Sequence, residues 1–148
     1  MAKYLFPALF TWESDDKVYH VTFPDLENVF TDGYTKEEAV ENAADALNLM
    51  LHDEDPENIP APTPIEQVKA PKGGFVSLIL ADTVAYQEII DRENNPIKYA
   101  RKRAKLNIKQ LADLLGAPYR TVQEWNAGRR MPPKWVEKLV VEKIEETY

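Results

Sequence analysis

The hydrophobic period of this chain switches from two to 3.6 within its first fifty residues, and that switch limits the fold more than any other feature. Tyr4, Phe6, Ala8, Phe10 and Trp12 fall on one side of a strand, with Leu5, Pro7, Leu9 and Thr11 on the other. Glu13 to Lys17 is a polar turn, and Tyr19, Val21 and Phe23 then alternate again. Pro24 and Asp25 break that strand. A short third strand is expected at about Val29 to Thr31, ending near Asp32-Gly33, where glycine permits a positive φ. From Thr35 the spacing is helical: Val40, Ala43, Ala44, Leu47 and Leu51 make one stripe, and Thr35 with Glu38 reads as a capping box. The expectation is a three-strand antiparallel meander covered by one helix.

Pro56, Pro60, Pro62, Pro64 and Pro71 make 53–72 an extended connection, because each fixes φ and lacks an amide donor. Gly73-Gly74 releases into Phe75-Val-Ser-Leu-Ile-Leu-Ala81, an almost wholly apolar run. It is expected as a strand buried on both faces, in the middle of a helix-backed sheet. Asp82 can cap a further helix with Val84, Ile89 and Ile90 inward, and Asn94-Asn95-Pro96 closes a first domain, 1–95, of order βββαβα. Helices over about 97–106, 108–116, 119–127 and 134–146 fill a second domain, 96–148. The fold class is α+β: a βββαβ(α) domain followed by an all-α one.

Charge divides at the same boundary. Residues 1–95 hold 6 Lys+Arg against 19 Asp+Glu, a net −13, and residues 96–148 hold 12 against 6, a net +6. A phosphate backbone attracts the second half and repels the first. Cysteine is absent, so no disulfide framework or thiolate chemistry is available, and no apolar run is long enough for a membrane span. A cytoplasmic protein with no membrane contact is expected.

The stretch from Ile108 to Arg130 has what two steeply crossing helices need. Ala112 allows close approach, Gly116 tolerates the turn, and Leu111, Leu115, Val122 and Trp125 supply a core. With the closing Trp125-Asn-Ala-Gly-Arg-Arg130, it resembles the Cro/repressor type of helix-turn-helix. In that arrangement the helix from Tyr119 enters the major groove. Tyr119, Arg120, Thr121 and Glu124 then face base edges, whereas Lys109, Arg129, Arg130 and Lys134 hold phosphates. Ile108 stands where a phosphate-contacting Gln is frequent, and Pro118 where a Ser or Thr cap is. One such module reads half a site, so a homodimer on operator DNA is expected. Trp135, Leu139, Val140 and Ile144 of the last helix serve either as its interface or as ordinary core.

In the first half, Tyr19-His-Val-Thr-Phe-Pro-Asp-Leu26, then Val29 to Gly33, then Thr35-Lys-Glu-Glu-Ala-Val-Glu-Asn-Ala43 resembles the HicB family of antitoxins, with Asn28-Val29 where Gly-Cys is common. The resemblance implies a partial RNase-H-like domain ahead of a DNA-binding domain. It further implies a small basic HicA-like toxin, an mRNA-cleaving ribonuclease, as partner, and repression of the chain's own operon. Candidate toxin contacts are Phe23, Pro24, Asp25, Leu26 and Asp32; these residues could equally serve only the turn, and the acidic surface could be merely solvated. Asp15, Asp16, Asp25 and Asp32 sit in turns or at strand edges and do not converge as two-metal catalysis requires. His20 and His52 lack zinc-ligand spacing, and no nucleophile pattern exists, so neither catalysis, a metal nor another cofactor is expected. The alternatives are a transcriptional regulator whose first domain senses a small ligand, and an enzyme with a DNA-binding appendage.

Overall fold

The computed structural model describes residues 3–148, which divide into two compact units, one reaching to Tyr86 and the other starting at Gln87. The division falls inside a helix, upstream of the expected boundary at Pro96.

The first unit holds β1 (Lys3–Glu13), β2 (Val18–Phe23), β3 (Leu26–Gly33), α1 (Lys36–His52) and β4 (Phe75–Asp82). All strand pairs are antiparallel, in the order β3-β2-β1-β4. The meander and its helix are as the period predicts. β3 is longer than expected because it restarts at Leu26, directly after the Pro24-Asp25 turn, with a register shift at Thr22/Phe23 absorbing the irregularity. Phe6, Ala8, Phe10, Val21, Phe23, Leu26, Val29, Ile79 and Ala81 build the sheet side of the core, and α1 adds Ala39, Ala43, Leu47 and Leu51. A fully buried Leu such as Leu47 contributes about 1.5–3 kcal/mol relative to exposure. Phe10 and Phe75, opposite one another across β1 and β4, stack with ring centroids 4.4 Å apart and so help pin that register.

Four expectations change in this unit. The α1 stripe is rotated: Ala39 is buried and Val40 is exposed. The reason lies at Gly33, whose φ is not positive. A Cβ there would lie 2.4 Å from the Ala39 amide nitrogen, so the first turn of α1 rests directly on the end of β3. Only a small residue fits at each side of that contact. The Thr35 hydroxyl accepts from the Glu38 amide at 3.0 Å, which is the Thr35 half of the expected box. β4 is an edge strand, not a central one: Ile79 and Ala81 point into the core while Leu78 and Leu80 stay exposed. The connection is not simply extended, since Pro56–Asn58 and Ile65–Gln67 are short 3-10 turns.

The helix α2 (Thr83–Asn94) carries the division between units. The Asp82 carboxylate caps it through the Ala85 amide at 3.0 Å, but Val84 and Ile89 are exposed, contrary to the inward stripe expected.

The second unit continues with α3 (Pro96–Arg103), α4 (Ile108–Leu115), α5 (Tyr119–Ala127) and α6 (Lys134–Thr147). Asn95 caps α3 through the Lys98 amide, which leaves Pro96 at a position whose missing donor costs nothing. A complete capping box stands at α4: Asn107 accepts from the Gln110 amide at 2.7 Å, and the Gln110 side chain accepts from the Asn107 amide at 2.8 Å. Gly116 ends α4 at φ +68°, the left-handed conformation the turn requires. Ile97, Ala100, Leu106, Leu111, Ala112, Val122, Val140 and Ile144 form the core, with Leu115 and Trp125 packed at its margin.

Candidate functional site

The candidate nucleic-acid surface is built on α5. Val122 is buried and Trp125 half-buried, so helical geometry turns Tyr119 and Arg120 outward and leaves Thr121 and Glu124 part-exposed. Arg120, Thr121, Glu124 and Arg130 line one groove together with Pro118 and Trp125. Tyr119 lies in a second hollow with Lys109, Asn107, Ile108 and Arg101. The structure therefore gathers Arg120, Thr121, Glu124 and Arg130 in one groove and Tyr119 with Lys109 in another.

Two assignments change in detail. Glu124 holds Arg129 in a two-point ion pair, Nε to Oε2 at 3.1 Å and Nη2 to Oε1 at 3.2 Å. The hydrogen bonds from Arg129, with Arg120 and Arg130 nearby, keep the Glu124 carboxyl below the usual carboxylate range, and the pairing raises Arg129 in turn. Glu124 therefore reaches this surface with its oxygens engaged. Lys134 stands apart on the first turn of α6, 3.4 Å from the Glu137 carboxylate.

Sequence reasoning counted Arg101 only as one of many basic residues. Its guanidinium donates to the Asn126 side-chain oxygen from Nε at 3.2 Å and Nη2 at 2.9 Å, and to the Leu106 carbonyl from Nη1 at 2.7 Å. Burial lowers its pKa. With Asn95 donating to the Trp125 carbonyl at 3.0 Å, it ties α3 to the end of α5. No sequence signal distinguishes such a lysine- or arginine-rich helix position from a phosphate ligand; the side-chain partner is 25 positions of chain away in one case and solvent in the other.

The five candidate contacts on the first unit are not equivalent. Phe23 and Leu26 are core residues, 3% and 4% exposed, and cannot meet a partner without unfolding. Asp25 is spent within the fold: its carboxylate accepts from the Thr63 amide at 3.0 Å and from the Thr63 hydroxyl, tethering the proline-rich connection to the β2–β3 turn. Pro24 and Asp32 are exposed, and the Asp32 carbonyl accepts from Asn42 of α1. Among the described residues no three His, Asp or Glu side chains gather as a metal site, and no helix is long and apolar enough to cross a membrane.

The comparisons with known proteins bear on part of this arrangement, and the family match ends before α5. A family model described as HicB_like antitoxin of bacterial toxin-antitoxin system matches residues 6–112, which take in the sheet, α1 and the first helices of the second unit. The chain belongs to that family. This HicB-like chain is also similar to Antitoxin HicB 1 of Photorhabdus laumondii, 47% identical over 51 residues, a stretch that is 33% of this chain and 33% of that relative. The match thus spans about a third of the relative's length. The fold is shared with a toxin–antitoxin complex from Streptococcus pneumoniae, at a TM-score of 0.52 and 23% identity, covering 57% of this HicB-like chain and 72% of that one.

Proposed function

We propose that this antitoxin binds and occludes a small basic HicA-like ribonuclease through its acidic first unit, and represses its own operon through the helix-turn-helix. The reading rests on membership of the HicB-like family together with the opposed charge of the two units. It needs no catalysis by this chain: neutralisation works by covering a cationic RNA-binding surface. On the DNA side, Tyr119, Arg120 and Thr121 read base edges, Lys109, Arg129 and Arg130 meet phosphates, and Glu124 acts through Arg129 as much as on a base. Lys134 adds a phosphate contact from the start of α6. Trp135 and Leu139, exposed at 68% and 55% beside buried Val140 and Ile144, provide an interface for the homodimer that a two-half-site operator requires. The setting is a bacterial cytoplasm.

The test pairs this chain with the short Lys-rich protein expected from the adjacent reading frame. Co-expression should relieve that protein's growth arrest, the two should co-purify, and the chain should shift a duplex from its own upstream region. A bound metabolite in place of the protein partner would favour a ligand-sensing regulator. Failure of residues 87–148 within the full chain to bind any duplex at low salt would remove the regulatory half.

A further inference from the structure

We propose that the toxin docks on the face of the sheet opposite α1, and not on the β2–β3 turn. This rests on the antitoxin reading above. Strand alternation and the measured register decide which residues share that face. Across β1 and β4 the pairs are Leu5 with Leu80, Pro7 with Leu78 and Leu9 with Val76; from Leu9 the row continues through Thr22 to Phe30 on β3. The next row is Thr11, His20 and Asp32. Pro7 is buried at the centre of the band, yet Leu5, Leu78, Leu80 and Phe30 are between 40% and 71% exposed. Four large apolar side chains open to water on one strand-built surface mark a docking site more than a solvated face.

The edges strengthen the case. β4 ends the sheet, and from Phe75 to Ala81 it has no charge, no proline and no bulge, the usual devices by which an edge strand resists pairing. Charge then selects the occupant. Residues 1–86 carry 5 Lys+Arg against 16 Asp+Glu, a net −11, so a second copy of this unit brings a like net charge whereas a cationic protein brings the opposite one. Asp32 sits on the polar side of the band, next to Phe30 on the same strand face, where it can anchor a Lys or Arg at the rim. Of the candidates assigned from sequence, this face keeps Asp32 and replaces Phe23 and Leu26 with Phe30, Leu78 and Leu80.

The experiment titrates the purified partner from the adjacent reading frame into the full chain and into Leu80→Ser, Phe30→Ser and, as a control, Leu49→Ser, whose leucine is 59% exposed on α1. All three positions are exposed, and circular dichroism melts verify folding. Leu80→Ser and Phe30→Ser should each raise Kd about tenfold or more, with Leu49→Ser unchanged. Equal affinity for all four chains, or a loss confined to Leu49→Ser, overturns the assignment while leaving the antitoxin reading intact. Sedimentation in which Leu80→Ser dissociates an oligomer of the chain alone, without altering partner affinity, assigns the face to a second copy and also overturns it. Absence of binding by the unaltered chain defeats the antitoxin reading itself.

Discussion

Arg129 is held by Glu124 five positions earlier, its Nε and Nη2 donating to the two carboxylate oxygens at 3.1 and 3.2 Å. A carboxylate on the helix proposed to meet DNA would repel phosphates, and here its charge is balanced by Arg129 just past the helix end. Glu124→Gln should therefore raise affinity for specific and random duplexes alike and steepen the dependence of log K on log salt by about one. Fluorescence anisotropy across a salt series measures both; an unchanged slope would separate Glu124 from the phosphate contacts.

The same pair has a defined pH window. Because the Glu124 carboxyl is depressed in the folded chain, the pair's stabilisation is present above the ordinary carboxylate range and is lost only as pH falls through the lowered value. Duplex affinity should be insensitive to this group across about pH 6 to 8. Proton NMR or anisotropy titration of the Glu124→Gln variant beside the parent chain checks it: their pH profiles should run parallel in that range and converge on acidification.

Arg120, exposed near the start of α5, has its guanidinium free to fork onto guanine in a bound duplex. Arg120→Ala should cost about 1–3 kcal/mol of discrimination between the operator and a random duplex. Arg129→Ala should instead weaken both by similar factors. Equal losses on the two duplexes for Arg120→Ala would reassign it to phosphate binding.

Arg101 should behave as a structural residue. Removing its side chain leaves Asn126 and the Leu106 carbonyl short of a partner, so Arg101→Ala should destabilise the second unit by about 1–3 kcal/mol, visible as a lower denaturant midpoint. Arg101→Lys should recover little of it, because an ammonium cannot reproduce the forked geometry.

Gly33→Ala should destabilise the first unit strongly. The added Cβ would meet the backbone at Ala39 and Glu38, within 2.4 to 2.9 Å, and α1 must move off the sheet to admit it. A loss of more than about 2 kcal/mol in chemical denaturation is expected; a change under about 0.5 kcal/mol would mean that α1 shifts without resistance.

Much of this was legible beforehand. Alternation from Tyr4 to Phe23 and the 3.6 spacing after Thr35 specify strand and helix because side chains leave the backbone at fixed angles. Gly116 and the Leu111, Ala112 and Val122 pattern locate the crossing of α4 and α5 for the same reason. The errors share one cause. Phe75 to Ala81 reads as a central strand because apolar content records what a side chain prefers, not which neighbours are present, and the edge position followed from pairing with β1 alone. Val40 and Ala39 are equally plausible on a helical wheel until the Gly33 contact chooses between them.

The functional residues divide along the same line. Local chemistry was enough to separate a basic all-helical unit from an acidic sheet-bearing one, because both depend on residue type and short spacing. Long-range geometry alone decided that Arg101 turns inward to Asn126, that Asp25 ties down Thr63, and that Phe23 and Leu26 are core. A side chain's partner is fixed by distances in space that the order of residues does not state, and those distances separate a group free to bind from one already bound.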